Sequence, residues 1–96
     1  MNRSGLILKF SDYAGVPKKK AETIIDTIFD SMKKALEEND RIELRGFGSF
    51  VNKDYESYTG RNPRTGELIQ VPPKRLPFFK VGKELKEMVD EKKGSN

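Results

Sequence analysis

Two arginines flanking a proline, in the run Arg61-Asn62-Pro63-Arg64-Thr65-Gly66, are the residues of this 96-residue chain best suited to chemistry with a partner. Guanidinium groups are drawn to phosphate and to narrow electronegative grooves, and a pyrrolidine ring is a rigid apolar wedge that fits between base steps. The same residues also read as a turn with solvated arginines: Asn first, Pro fixing φ at the second position, Gly free to take a positive φ beyond. Turn chemistry alone weighs these two readings equally. Other chemistries are scarce, because the chain has no cysteine, histidine or tryptophan. A disulfide framework, a thiolate zinc site, a cysteine nucleophile and a histidine base or metal ligand are all excluded. Carboxylates such as Asp12 and Glu43 are the remaining acid–base pair, but no pocket signature or metal-ligand spacing surrounds them. The expectation is a protein that is not an enzyme and uses no metal and no cofactor.

The net charge of +4 is unevenly spread. Residues 1–39 are close to neutral, whereas between residues 58 and 83 Arg61, Arg64, Lys74, Arg75, Lys80 and Lys83 face one acid, Glu67. Such a stretch suits a polyanion, since each phosphate neutralised releases condensed counterions. A solvated surface is the plainer alternative, and a ribbon that holds a protein partner is another. No apolar run approaches the ~20 residues of a membrane span, and Met1-Asn2-Arg3-Ser4 does not open a signal peptide, so a cytoplasmic protein without a membrane partner or small-molecule substrate is expected.

The elements that must position these residues follow from hydrophobic period. Ser4 reads as the N-cap of a first helix with Leu6, Ile7, Phe10 and Ala14 on one face, ended by Gly15. Pro17 opens a second helix, in which Ala21, Ile24, Ile25, Ile28, Phe29, Met32, Ala35 and Leu36 form a wide stripe; Asn39-Asp40 ends it. At Arg41 the period becomes two, and Ile42 and Leu44 mark a strand. Gly46-Phe47-Gly48 is a corner. A long hairpin then rises from Phe50 towards Thr59 and returns over Gly66–Val71, and Pro72-Pro73 breaks it. Few apolar residues support its outer half, so residues 56–72 are expected to be mobile until bound. Arg75–Lys80 returns as a strand, with Pro77 indicating an edge. A last helix from Lys83 to about Asp90 turns Leu85, Met88 and Val89 inward. The fold class is α+β: two N-terminal helices, a three-stranded antiparallel sheet extended into a β-ribbon arm, and a C-terminal helix. One domain is expected over residues 1–90, with the arm at about 53–74 and a polar tail at 91–96. The aromatic load of Phe29, Phe47, Phe50, Phe78 and Phe79 exceeds what so thin a layer covers, which favours a self-complementary dimer.

From Met1 to about Val89 the chain resembles the HU and integration host factor family of bacterial DNA-bending proteins. The resemblance is carried by Arg45-Gly46-Phe47-Gly48-Ser49-Phe50, Gly60-Arg61-Asn62-Pro63-Arg64-Thr65-Gly66 and Phe79-Lys80-Val81-Gly82-Lys83. It implies an intertwined dimer with Phe29, Phe47, Phe50 and Phe79 in its core and two arms that wrap the minor groove of double-stranded DNA in the nucleoid. It further implies that Pro63 intercalates and that Arg61, Asn62 and Arg64 line the groove. Lys53, Lys74 and Arg75 become arm contacts, and Arg3, Lys18, Lys80 and Lys83 become body contacts. Gly82-Lys83 also has a rationale of its own, because N–H groups at a helix start attract phosphate. Three departures are visible. Tyr55, Tyr58 and Thr59 stand where many relatives carry Lys or Arg, which weakens arm electrostatics. Val81 replaces a proline and is expected to loosen the start of the last helix. Arg41-Ile42-Glu43-Leu44-Arg45-Gly46 is similar to the beta-type subunit of integration host factor, in which Arg45 matches a base-neighbouring arginine. Both a homodimer and a heterodimer with a paralogous subunit fit this resemblance.

Overall fold

A computed structural model describes residues 1–94. It contains helices α1 (Arg3–Ala14) and α2 (Lys18–Glu37), strands β1 (Ile42–Leu44), β2 (Gly48–Tyr55), β3 (Tyr58–Arg61), β4 (Leu68–Val71) and β5 (Lys74–Val81), and helix α3 (Lys83–Gly94). The α+β class is as expected. The chain divides into two compact units, Met1–Ala35 and Leu36–Asn96.

In the first unit the cap of α1 is Asn2 rather than Ser4: the Asn2 side chain accepts the Gly5 N–H at 2.9 Å. Asn and Ser are similar as caps, and capping at Asn2 brings Arg3 into the first helical turn. Gly15 ends the helix in the left-handed region at φ 66°, its N–H donating to the Ser11 carbonyl. Pro17 directly precedes α2, and its carbonyl accepts the Ala21 N–H at 3.0 Å. Ile7, Ala21 and Ile25 are the buried core, with Leu6, Phe10 and Val16 packed around them. Ala14, expected on that face, is exposed. At roughly 1.5–3 kcal/mol per buried large aliphatic side chain, so small a core supplies little stability by itself.

In the second unit β1, β2 and β5 form an antiparallel sheet in that order, and β3 and β4 form a two-stranded ribbon. β2 and β5 pair from Gly48↔Val81 to Tyr55↔Lys74, and the ribbon pairs from Tyr58↔Val71 to Arg61↔Leu68. Two residues on each strand separate the ladders, Glu56-Ser57 and Pro72-Pro73, so one register runs from sheet to tip without a bulge. The gap lies where the prolines lack N–H donors. Pro77 sits on β5, an edge strand, as its type required. The end of α2 is secured from a distance: Asn52 on β2 donates its amide to the Leu36 carbonyl at 2.7 Å.

Two expectations about α3 are corrected. The helix continues to Gly94, taking in residues 91–94 of the expected tail, while 95 and 96 lie outside the described residues. Met88 and Val89 do not turn inward but are 57% and 64% exposed. Leu85 alone of the three is half-buried, so the apolar stripe of α3 finds little surface of its own unit to cover it.

Gly48 is the tightest point of this unit. A Cβ there would lie 2.5 Å from the Lys80 carbonyl oxygen and 2.7 Å from the Phe79 ring. Gly48→Ala is expected to destabilise the fold by about 2 kcal/mol or more, read as a lower urea midpoint. Gly15→Ala, which meets open space, should cost only its backbone strain, about 1 kcal/mol.

Candidate nucleic-acid interface

The arm tip is a closed turn. The Asn62 N–H donates to the Glu67 carbonyl at 2.8 Å, and the Gly66 N–H donates to the Asn62 carbonyl at 2.7 Å. Asn62 Oδ1 accepts the Arg64 N–H at 2.9 Å, the local side-chain turn that an Asn before Pro favours. Gly66 takes φ 75°, as the turn chemistry demanded. Pro63 stands exposed at the apex, and its ring has no backbone donor to satisfy. The Arg61 guanidinium bends back to donate to the Gly66 carbonyl at 2.9 Å, so it staples the turn, whereas the exposed Arg64 side chain makes no hydrogen bond or ion pair among the described residues.

Further down the arm the cations are partly committed. Arg75 is paired to Asp54, Nε donating to Oδ1 at 2.6 Å. Lys53 lies 3.6 Å above the Phe78 ring, and Lys74 lies 5.8 Å from the Tyr55 ring. Lys53 and Lys74 are thus presented as cations supported by aromatic faces, while Arg75 already has a carboxylate partner.

The body residues divide likewise. Arg3 is held by two carboxylates: Asp26 accepts at 2.6 and 3.0 Å, and Glu22 at 3.2 Å. The Arg3 hydrogen bond, assisted by the guanidinium charge, keeps the Asp26 carboxyl below the usual carboxylate range, and Arg75 does the same to Asp54. Lys18 opens α2 and is exposed, with no ion pair among the described residues. Arg45 lines an open pocket of about 470 Å³ together with Glu43, Ser49 and Gly82. Glu43 itself pairs with Arg41 at 2.9 Å, which leaves Arg45 free of it.

The junction before α3 requires a correction. Val81 does not loosen it, because β5 extends to Val81 opposite Gly48 and the Gly82 N–H donates to the Phe47 carbonyl at 2.9 Å. The Gly82 N–H is therefore not free for phosphate. Moreover, a Cβ on Gly46 would lie 2.8 Å from Glu84 Oε2, so a carboxylate already occupies the approach to this helix start. Lys80 remains an exposed cation on β5, and Lys83 stands 4.0 Å from Glu87.

Sequence reasoning missed the carboxylates that hold Arg3 and Arg75. For Arg75 a signal existed, since an opposite-charge pair directly across a hairpin follows once the register is known, and Asp54 faces Arg75 in the ladder. Phe47 and Phe50 both stack on Phe79, with ring centroids at 5.4 and 4.8 Å. Three of the four phenylalanines expected to share a core therefore meet, while Phe29, in the other unit, is 46% exposed. No helix among the described residues is long and apolar enough to cross a membrane.

Comparison with known proteins follows the same outline. A family profile described as bacterial DNA-binding protein matches residues 1–90. The DNA-binding protein HU of Geobacillus stearothermophilus is 40% identical over 89 residues, 93% of this chain and 99% of that protein, and that of Bacillus caldolyticus gives the same figures. An Anabaena HU–DNA cocrystal structure superposes with a TM-score of 0.85 at 34% identity, covering 93% of this chain and 97% of that one. HU from Thermotoga maritima gives a TM-score of 0.64 at 31% identity, covering 93% and 98%.

The folded values of Asp26 and Asp54 lie below their unfolded ones, so these pairs contribute stability above the usual carboxylate range and lose it as pH falls through the depressed folded values. Asp26→Asn and Asp54→Asn should each flatten the fall of Tm between about pH 5 and 2, and high salt should shrink the difference from the parent.

Proposed function

The chain belongs to the family of bacterial DNA-binding proteins that includes HU, and on that premise we propose that it binds and bends double-stranded DNA as a dimer in the nucleoid of the cytoplasm and catalyses no reaction. The observation that carries this reading is the tip of the arm. A turn closed on itself presents Pro63 at its apex, with Arg64 beside it, whose side chain has no hydrogen-bond or ion-pair partner among the described residues. A rigid apolar ring flanked by positive charge is what a wedge between base steps requires, and such wedges kink duplexes by roughly 20–90°. Lys53, Lys74, Lys18 and Lys80 would track phosphates along the arm and body. Arg3 and Arg75 would join them by exchanging a carboxylate for a phosphate. Asn62 would contribute by fixing the turn, and Arg45 would meet the groove next to it. The Gly82–Lys83 segment would act through the Lys83 ammonium.

Dimerisation is supported by exposed aromatic surface: Phe47 is 46% and Phe79 37% exposed, and Phe29 adds a further ring. These rings, together with Phe50, form the core of the proposed dimer, since large apolar rings in so small a chain call for a second copy to cover them. The ribbon from residue 56 to 72 has two strands and no third layer in its own unit, so binding would order it.

Pro63→Ala should bind DNA but bend it less in a fluorescence-transfer assay; an unchanged bend removes the wedge. Arg64→Ala should reduce the slope of log K against log salt by about one, as should Arg61→Ala, with additional loss of tip order in the latter. Mass measurement should give twice the chain mass for a homodimer. Failure to bind any duplex at low salt would favour the ribbon as a protein-binding element instead.

A further inference from the structure

The outer ribbon has two unlike faces. Alternation along β3 and β4 puts Tyr58, Ile69 and Val71 on one side, where the Tyr58 ring and the Val71 side chain border Gly60, each 3.6 Å from where its Cβ would be. Thr59, Arg61, Leu68 and Gln70 lie on the other. Thr59 and Gln70 are direct cross-strand partners, and the Thr59 hydroxyl donates to Gln70 Oε1 at 3.2 Å. That bond engages one lone pair of the amide oxygen and turns Oε1 toward Thr59, which leaves the two donors of Nε2 on the far side of the amide. Both residues are exposed, and those donors make no hydrogen bond among the described residues. The same register carries the alternation down to Lys53, Tyr55 and Lys74, whereas Asp54, Glu56 and Arg75 share the side of Tyr58. The face with Gln70 therefore holds cations and no carboxylate, and the opposite face holds the acids.

We propose that the Thr59–Gln70 pair is a base-edge reader that makes the arm prefer A·T over G·C pairs. This rests on the minor-groove reading above and deepens it. In the minor groove an A·T pair shows only acceptors, adenine N3 and thymine O2, while a G·C pair adds the guanine N2 amino donor. An amide held with its oxygen toward Thr59 and Nε2 outward meets A·T edges with donors facing acceptors and meets the guanine amino group with donor facing donor. The cost of orienting a free glutamine is reduced because Thr59 holds the amide in place. The arm has tyrosines at 55 and 58 rather than cations, and hydrogen-bond readout of this kind does not weaken with salt as phosphate contacts do.

The test is competition binding to three duplexes of one length, built from A·T, G·C or inosine·cytosine pairs. Inosine lacks only the guanine N2 amino group, so it removes the minor-groove donor and keeps the major-groove edge. The parent is expected to bind the A·T and inosine duplexes alike, each about fivefold more tightly than G·C. Gln70→Ala should bind all three within about twofold, and Thr59→Val should fall between. Circular dichroism of each variant checks that the fold is retained. Discrimination that survives Gln70→Ala overturns the proposal, as does equal binding of all three duplexes by the parent. Both of those outcomes leave DNA binding intact and touch this proposal alone. A parent that binds none of the three overturns the underlying reading as well.

Discussion

The antiparallel ladder between β2 and β5 does two jobs with one register. At its inner end it sets Phe50 opposite Phe79 and Gly48 opposite Val81, and at its outer end it sets Tyr55 opposite Lys74. The first pairing brings the phenylalanine rings together, and the second launches the arm with its alternation already decided. Because side chains on a strand alternate with period two, a slip of one residue would exchange the cationic and acidic faces of the arm and turn the rings away from one another. Gly48 is where that register is anchored, since only a residue without Cβ lets β2 approach the Lys80 carbonyl and the Phe79 ring so closely. The aromatic cluster and the aim of the arm are thus one constraint.

Charge is organised by partnership more than by amount. Of the basic residues the resemblance assigned to binding, Arg3 and Arg75 already hold carboxylates, and Arg61 holds a carbonyl of the tip. Exposed ion pairs contribute little net stability, so these two guanidinium groups can exchange their carboxylate for another anion at small cost. Arg61 differs, because giving up the Gly66 carbonyl loosens the turn that presents Pro63. Arg64, Lys53 and Lys80 need no exchange at all. The local excess of charge between residues 58 and 83 is therefore a store of three kinds of cation: free, exchangeable and structural.

Features that depend on near neighbours were legible in the sequence. The stripe of α2, the left-handed Gly15, the positive φ of Asn39 that ends the helix, and the turn at Asn62-Pro63 are all decided within a few residues. What escaped lies across long separations. Asn52 caps α2 from 16 residues away, and Arg3 reaches Asp26 over 23. Likewise the Gly82 N–H is taken by Phe47, a partner that no local pattern reveals. Period alone placed Met88 and Val89 on an inner face, but burial needs a second surface, and the chain does not provide one for them. The Asn2 cap was missed for a milder reason, since two good caps stood two residues apart.

The prolines at the base of the arm explain how so exposed a ribbon keeps its face. Pro72 and Pro73 remove two N–H donors, which interrupts the ladder and separates the outer ribbon mechanically from the sheet. A bulge would have interrupted it too, but it would also have added a residue to one strand and reversed the alternation beyond it. Equal gaps on the two strands allow bending without reversal. The outer ribbon can therefore bend against the sheet while Thr59, Gln70 and Arg61 keep facing the same way as Lys53 and Lys74, and the Pro63 turn keeps its orientation relative to that face.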